Sequence, residues 1–290
     1  MKLGLLSYNT EYTIRADRLA CEAETRGFES LWLPEHTHIP VPEGKADPET
    51  GMPVQPDGEF LEVEYRHMSD PFTSLAAAAA VTTKLRLGTC ICLINQHHPL
   101  SLAKQVATLD RLSDGRLIFG IGAGWNVPEM GHHGIQFEDR WRQLRERLRA
   151  IQTLWTEERA AFEGEFVSFA ESWQYPKPYR EGGPSVVLGT LDTKFGRRQV
   201  AHHGDGWLPL TFDIEQTKRS IADVRAQMRD LGRDPDALDV SLLFLADEVQ
   251  SLDTLKIAEE AGVKRAIIRL PVADEETVLR RLDAYTSSLV

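Results

Sequence analysis

Short apolar runs alternate with longer helix-periodic segments from one end of this chain to the other. That alternation constrains its fold more than any single motif. Strand-like runs occupy residues 2–7, 30–33, 85–93, 117–121, 185–188, 206–210, 239–245 and 265–270. Helix-like segments follow them at residues 12–26, 71–83, 100–112, 140–158, 193–203, 214–231, 251–261 and 275–288. Apolar runs of this kind belong to strands buried on both faces of a parallel sheet. Eight β–α pairs in 290 residues predict an α/β fold, a (β/α)8 TIM barrel forming one domain over residues 1–290. A doubly wound sheet is the alternative. It needs fewer repeats, and no dinucleotide fingerprint follows the first strand.

Local signals agree with these boundaries. Gly27, Gly232 and Gly262 stand where helices end. Asp70-Pro71 reads as an N-cap with proline in the first turn, and Pro99 starts the third helix. Asp114-Gly115 marks a tight turn into the fourth strand. Two insertions break the rhythm. Residues 37–68, rich in proline and glycine, form a long loop after strand 2, and a loop of that length predicts a functional loop or a mobile lid. Residues 160–178 alternate around Glu163-Gly164-Glu165 and predict a β-hairpin after helix 4. The run Ala76–Ala80 gives the second helix a small face, suited to close packing on its own barrel or on a second subunit.

The net charge of -11 argues against a nucleic-acid surface. Three cysteines, Cys21, Cys90 and Cys92, make no disulfide framework. Cys90 and Cys92 lie in an apolar run and are expected to pack rather than react. No signal-peptide pattern and no bilayer-length apolar run is present, which predicts a soluble cytoplasmic protein.

Residues just past the C-terminal ends of barrel strands are where such folds do chemistry. Strand 2 ends in Pro34-Glu35-His36-Thr37-His38. Imidazole exchanges protons near neutral pH, so His36 is the candidate acid or base, with Glu35 expected to hold it. Strand 3 opens into Asn95-Gln96-His97-His98. Strand 4 carries Gly120, Gly122 and Gly124, a G-x-G-x-G pattern that permits close backbone approach by a ligand. Strand 5 ends in Gly189-Thr190, and a helix begins near Asp192 and Thr193. Its free amides, with Lys194 nearby and Arg197 and Arg198 a turn on, suit an anion such as phosphate. His36-Thr37-His38 looks like the H-x-H of barrel hydrolases, and His97-His98 and His132-His133 lie on the same rim. His202-His203 falls on the opposite face, and neither a bridging lysine nor a closing aspartate is apparent. No catalytic metal is expected.

Together, residues 31–40, 86–92, 102–124 and 201–209 resemble the bacterial-luciferase-like superfamily of flavin- and deazaflavin-dependent oxidoreductases. The motifs include Gln105-Val106-Ala107-Thr108-Leu109-Asp110, Ser113-Asp114-Gly115-Arg116 and Gly204-Asp205-Gly206-Trp207. Pro34-Glu35-His36-Thr37-His38-Ile39-Pro40 is most similar to the branch that uses coenzyme F420. The resemblance implies a (β/α)8 barrel, usually a homodimer, with the cofactor ring in the barrel mouth. It implies a cis peptide at Cys90–Ile91 behind the ring. Its cofactor-binding positions match Glu35 and His36, Cys90, Ile91 and Cys92, Ala123, Gly124 and Trp125, and Gly189, Thr190, Asp192 and Lys194. Two departures stand out. Trp125 occupies the place of a glutamate proton donor of some deazaflavin dehydrogenases, and Glu129 lies too far on to replace it. Ala123 occupies the place of luciferase's phosphate-binding arginine, which weakens an FMN reading.

The expected function is F420-dependent hydride transfer to or from a small organic substrate, with His36 as proton donor or acceptor held by Glu35. The loop at 37–68, with Trp125, would cover the pocket. The alternatives are an FMN-dependent monooxygenase using reduced flavin and oxygen, a barrel metallohydrolase, and a non-catalytic flavin-binding relative. A separate reductase supplying reduced cofactor is a further expected partner.

Overall fold

The computed structural model describes residues 1–49, 51–55, 58–210, 213–245 and 252–289. Its main sheet contains β1 (Lys2–Leu6), β2 (Ser30–Leu33), β3 (Arg86–Thr89), β4 (Cys92–Leu93), β5 (Leu117–Gly122), β8 (Ser185–Leu191), β9 (Gly206–Leu210), β10 (Asp239–Phe244) and β11 (Arg265–Arg269). All pair in parallel, and β3 pairs with β5 as well as β2, closing the sheet into a barrel. With β3 and β4 as two halves of one interrupted strand, this is the eight-stranded (β/α)8 barrel that the alternation predicts. The intervening β6 (Ala160–Glu163) and β7 (Ser168–Ser172) form the expected antiparallel hairpin.

Around the barrel run α1 (Ala16–Thr25), α2 (Pro71–Val81), α3 (Pro99–Leu112), α5 (Arg140–Thr156), α6 (Lys194–His203), α7 (Ile214–Asp230), α8 (Leu252–Glu260) and α9 (Glu275–Leu289). A short extra helix, α4 (Val127–His132), follows β5. Its six residues are too few to show a helical period in sequence. α1 starts later than predicted, because residues 10–13 close a turn through Thr13 N–H donating to Thr10 O. α2 is capped by Asp70, whose side chain accepts from Thr73 N at 2.6 Å, with Pro71 at the first helical position. The predicted start of α8 at residue 251 lies outside the described residues. Among the described residues no helix is long and apolar enough to cross a membrane.

The larger apolar core fills the space between strands and helices, while a smaller cluster inside the barrel joins Leu6, Tyr8, Trp32, Ile118, Val187, Leu208 and Ile267. Trp32 is fully buried, with its Nε1 donating to Ser30 Oγ at 2.8 Å. The indole fits because β3 carries a glycine opposite it. A Cβ at Gly88 would meet the Trp32 ring at 2.3–2.7 Å. Gly88→Ala is therefore expected to destabilise the fold by about 1–3 kcal/mol through overpacking. A denaturant midpoint equal to that of the parent protein would contradict this.

Candidate active site

The C-terminal mouth of the barrel opens into a cavity of about 530 Å³. β1 contributes Leu6, and Tyr8 lies just beyond it. The segment after β2 contributes Pro34, Glu35 and His36, and the long loop adds Tyr65. Cys90, Ile91 and Leu93 form one wall, and Ala123, Gly124 and Trp125 follow from β5. Phe137, Arg140, Trp141, Thr193 and Phe195 also line it, with Gly189, Thr190 and Leu191 of β8. Leu208, Leu210 and Leu243 complete the lining. The volume and the mainly apolar wall are those of a small-molecule or cofactor site.

The wall formed by Cys90 and Ile91 explains why the predicted third strand is split. The Cys90–Ile91 peptide is cis, as the resemblance implied, and it interrupts the ladder between β3 and β4. The glycines of β5 make room for it. A Cβ at Gly120 would lie 1.9 Å from Thr89 O, and one at Gly122 would lie 2.0 Å from Ile91 Cδ1. Within β5, then, the G-x-G-x-G pattern serves close packing against the bulge. Burial raises the Cys90 thiol to about 12, so it stays protonated. Cys92 lies behind the wall rather than in the cavity, because its side chain points to the other face of the strand.

His36 is in the cavity, but Glu35 does not hold it. The expected pairing is corrected by the backbone: successive side chains of an extended segment diverge. Glu35 is buried and accepts from Leu93 N at 2.6 Å, while its other oxygen lies 2.8 Å from His97 Nε2. Burial disfavours charge on His97, and Glu35 more than offsets this, so its pKa is raised. The Cys92 thiol also faces Glu35, and its pKa is pushed far up by burial and by that carboxylate. Ligand atoms of Glu35, Cys92 and His97 lie within 4.8 Å of one another. Hydrogen bonds within the trio and to the Leu93 amide account for the carboxylate's role as a strut between β2 and β4.

The partner of His36 is Glu129. Its Oε2 lies 2.7 Å from His36 Nδ1, and its Oε1 accepts from Thr37 N at 3.2 Å. The Glu129 side chain is 1% exposed and that of His36 is 5%. Sequence separation made Glu129 look too distant. α4 brings it back within one turn, and Asn126 caps that helix by accepting from Glu129 N. A carboxylate only accepts, so Nδ1 carries the hydrogen toward Glu129 and Nε2 is left as the exchanging atom. The His36 ring packs 5.2 Å from Tyr65 and 5.7 Å from Trp125, centroid to centroid. At the outer rim, His38 Nε2 lies 2.8 Å from His132 Nδ1, and Thr37 Oγ1 lies 2.8 Å from His133 Nε2. Of the histidines predicted to share a rim, His38, His132 and His133 meet there, while His97 turns to Glu35 instead.

Gly189 and Thr190 line the cavity as expected, but Asp192 and Lys194 do not. Asp192 is consumed by Arg197 at 2.7 Å, Ser220 Oγ at 2.8 Å and Gln216 Nε2 at 3.0 Å. Arg197 is thereby paired, and it also donates to Asp223. Lys194 is exposed. Thr193 takes the lining position and caps α6 by accepting from Gly196 N at 3.0 Å. The cation that does face the cavity is Arg140, which no motif marked. It donates to Phe137 O at 2.7 Å and stacks 3.6 Å from that ring centroid. No carboxylate of the described residues forms an ion pair with it, and burial lowers its pKa.

From the long loop after β2, Tyr65 lines the cavity. Tyr65 lies in a short 3-10 turn, Val63–His67, and its hydroxyl accepts from Tyr8 at 3.4 Å. Glu62 pins the turn to β11 through Arg269, with Nη2 2.6 Å and 2.8 Å from its two oxygens. Arg269 also lies 4.5 Å over the Tyr8 ring. Burial is the main cause of the strongly raised Tyr8 pKa, and Tyr65 adds to it.

A family model described as luciferase-like monooxygenase matches residues 6–247. The chain belongs to that family. It is 38% identical over 273 residues to the uncharacterized protein Rv0953c of Mycobacterium tuberculosis, covering 93% of this chain and 92% of that protein. This luciferase-like protein is also 30% identical over 200 residues to an F420-dependent glucose-6-phosphate dehydrogenase of Kineococcus radiotolerans, covering 65% of this chain and 50% of the relative. An FMNH(2)-dependent dimethylsulfone monooxygenase of Pseudomonas fluorescens is 29% identical over 167 residues, covering 57% of this chain and 44% of the relative. The solved monooxygenase RslO1 of Streptomyces bottropensis shares the fold, with a TM-score of 0.77 and 22% identity, over 100% of this chain and 98% of that one. Relatives of this luciferase-like chain thus include both F420-dependent and FMN-dependent enzymes.

Proposed function

We propose that this chain is an F420-dependent oxidoreductase acting on a small organic molecule. The observation that carries the reading is the buried His36–Glu129 pair at the wall of an apolar cavity. A proton-exchanging group beside a water-poor pocket is what hydride transfer to a carbonyl or similar electrophile requires. The donor set fits the cofactor. Cys90 and Ile91 offer a continuous wall for a flat ring, Gly189 has no side chain to fill the space beside Ile91, and Arg140 offers a cation to a phosphate. Coenzyme F420, when bound, supplies a two-electron hydride carrier at C5. Nε2 of His36 gives or takes the proton that the substrate gains or loses, and Glu129 orients the ring by holding Nδ1–H. Trp125 and the loop carrying Tyr65 exclude water. A homodimer in the cytoplasm, with a separate reductase supplying reduced cofactor, belongs to the same reading.

The alternative is an FMN-dependent monooxygenase, favoured by the 29% identity to the FMNH(2)-dependent relative. Side-by-side fluorescence titration with F420 and FMN separates the two. The expected result is tight binding of F420 and weak binding of FMN. FMN binding with substrate-dependent oxygen consumption would overturn the proposal.

A further inference from the structure

The outer wall of the barrel carries a group of cations that the cavity does not use. α5 and α6 lie side by side and in step. The Trp141 ring meets that of Phe195 at 5.4 Å between centroids, and one turn on Arg145 Nη1 donates to Gln199 Oε1 at 3.1 Å. Arg149 and His203 follow a further turn along, at the same offset. Arg142, Arg145 and Arg149 recur along one face of α5, and Arg198 and His202 keep the same helical spacing on α6. Trp141 and Phe195 line the cavity and stand one turn nearer its mouth.

The chain has a net charge of -11, yet no carboxylate answers this group. Asp139 and Glu165 are taken by Arg142 at 2.5 Å and 2.9 Å. Glu146 turns away and accepts from the amides of Glu165, Phe166 and Val167. Asp192 and Asp223 hold Arg197, and Asp205 meets Arg233 at 3.3 Å. Among the described residues, Arg145, Arg149 and Arg198 form no ion pair with a carboxylate. Their charges act on one another instead. Burial lowers the Arg145 pKa, and Arg149, Arg142 and Arg198 lower it further. Burial, and then His202, Arg145, Arg149 and Arg233, push His203 down to about 4. Like charges gathered this way are destabilising until an anion joins them.

Arg145 and His203 are half-buried, with Arg149, Arg198 and His202 exposed around them. A recessed floor with an exposed rim suits a small anion better than a flat macromolecular face. Planar guanidinium forks match phosphate oxygens in pairs. We infer that the recess between α5 and α6 binds a small multivalent phosphate anion of the diphosphate class, held by Arg145, Arg149 and Arg198, with a His203 N–H as a further donor. This site is separate from the cavity, and it stands or falls independently of the cofactor reading.

The test titrates inorganic pyrophosphate into the purified full chain at pH 7 and low salt, by calorimetry and by NMR of the histidine rings. The His203 signal is expected to move while that of His67, on the loop after β2, stays still. Arg149→Gln and Arg198→Gln change exposed positions, and each should weaken binding by at least about fivefold. Arg281→Gln, an equal loss of charge on α9, should leave the affinity unchanged, and so should Arg140→Gln in the cavity. Loss of binding in Arg140→Gln, with Arg149→Gln and Arg198→Gln unaffected, would put the anion in the cavity and overturn the inference. A His203 signal that stays still at about 1 mM pyrophosphate would overturn it too, as would equal weakening by Arg281→Gln.

Discussion

Alanine in place of His36 is expected to lower turnover by about 10²–10⁴-fold, the usual worth of a positioned general acid or base. The cofactor dissociation constant should change far less, because the ring's wall is Cys90 and Ile91 and its anion partner is Arg140. Glu129→Gln keeps the shape of the buried partner and removes its charge. It should lower kcat while leaving KM nearly unchanged, since Glu129 touches His36 and Thr37 and does not line the cavity. Nitrogen NMR of His36 gives a readout that a purely structural role would not move. In the parent protein Nδ1 should carry the hydrogen, and Glu129→Gln should mix the two tautomers. Unaltered turnover in His36→Ala would remove this residue from the mechanism. Unaltered tautomer and kcat in Glu129→Gln would reduce the pair to packing.

That pair also shows where sequence reading succeeds and stops. The barrel was legible because each strand is an apolar run and each helix has its own punctuation, so local signals and global fold agree. The rim position of His36 followed from the same pattern. Its partner did not, because adjacency in sequence pointed to Glu35, whereas an extended backbone turns neighbours apart. Glu129 reaches the site only through a one-and-a-half-turn helix that is too short to leave a periodic trace. Asp192 and Lys194 looked suited to an anion by their place before a helix. The carboxylate instead ties α6 to α7 through Arg197, Gln216 and Ser220. Arg140 and Tyr65 carried no local signal, since a helix start and a loop residue are ordinary places for both. Tyr8, just past the first strand, had a rim signal that could have found it.

Arg265→Ala is expected to cost about 1–3 kcal/mol of stability, because it removes a buried guanidinium that holds two half-buried carboxylates, Glu29 and Asp239. Arg265 lies in β11 with its side chain fully buried, at the barrel end opposite the cavity. Its Nε donates to Glu29 Oε2 at 2.8 Å and its Nη1 to Ser241 Oγ at 2.9 Å, with Asp239 Oδ1 at 3.2 Å. The guanidinium also lies 5.5 Å from the Trp32 ring centroid. Burial pushes the Glu29 pKa up, but Arg265 more than reverses this, so the folded value is lowered. A lowered folded pKa makes the contribution of Glu29 fully present above the unfolded carboxylate range. It is lost as pH falls through the folded value. Chemical denaturation across acid pH should therefore show a decline in the parent protein that Arg265→Ala lacks. Replacing Arg265, Glu29 and Asp239 together by apolar residues of similar size should recover most of the loss, since the desolvation of three charged groups goes with them. Activity per folded molecule should survive Arg265→Ala, because the N-terminal end of a (β/α)8 barrel serves stability whereas the chemistry sits at the C-terminal mouth. If activity fell while the denaturation midpoint held, the two ends of this barrel would be coupled, and the separation of scaffold from site would have to be abandoned.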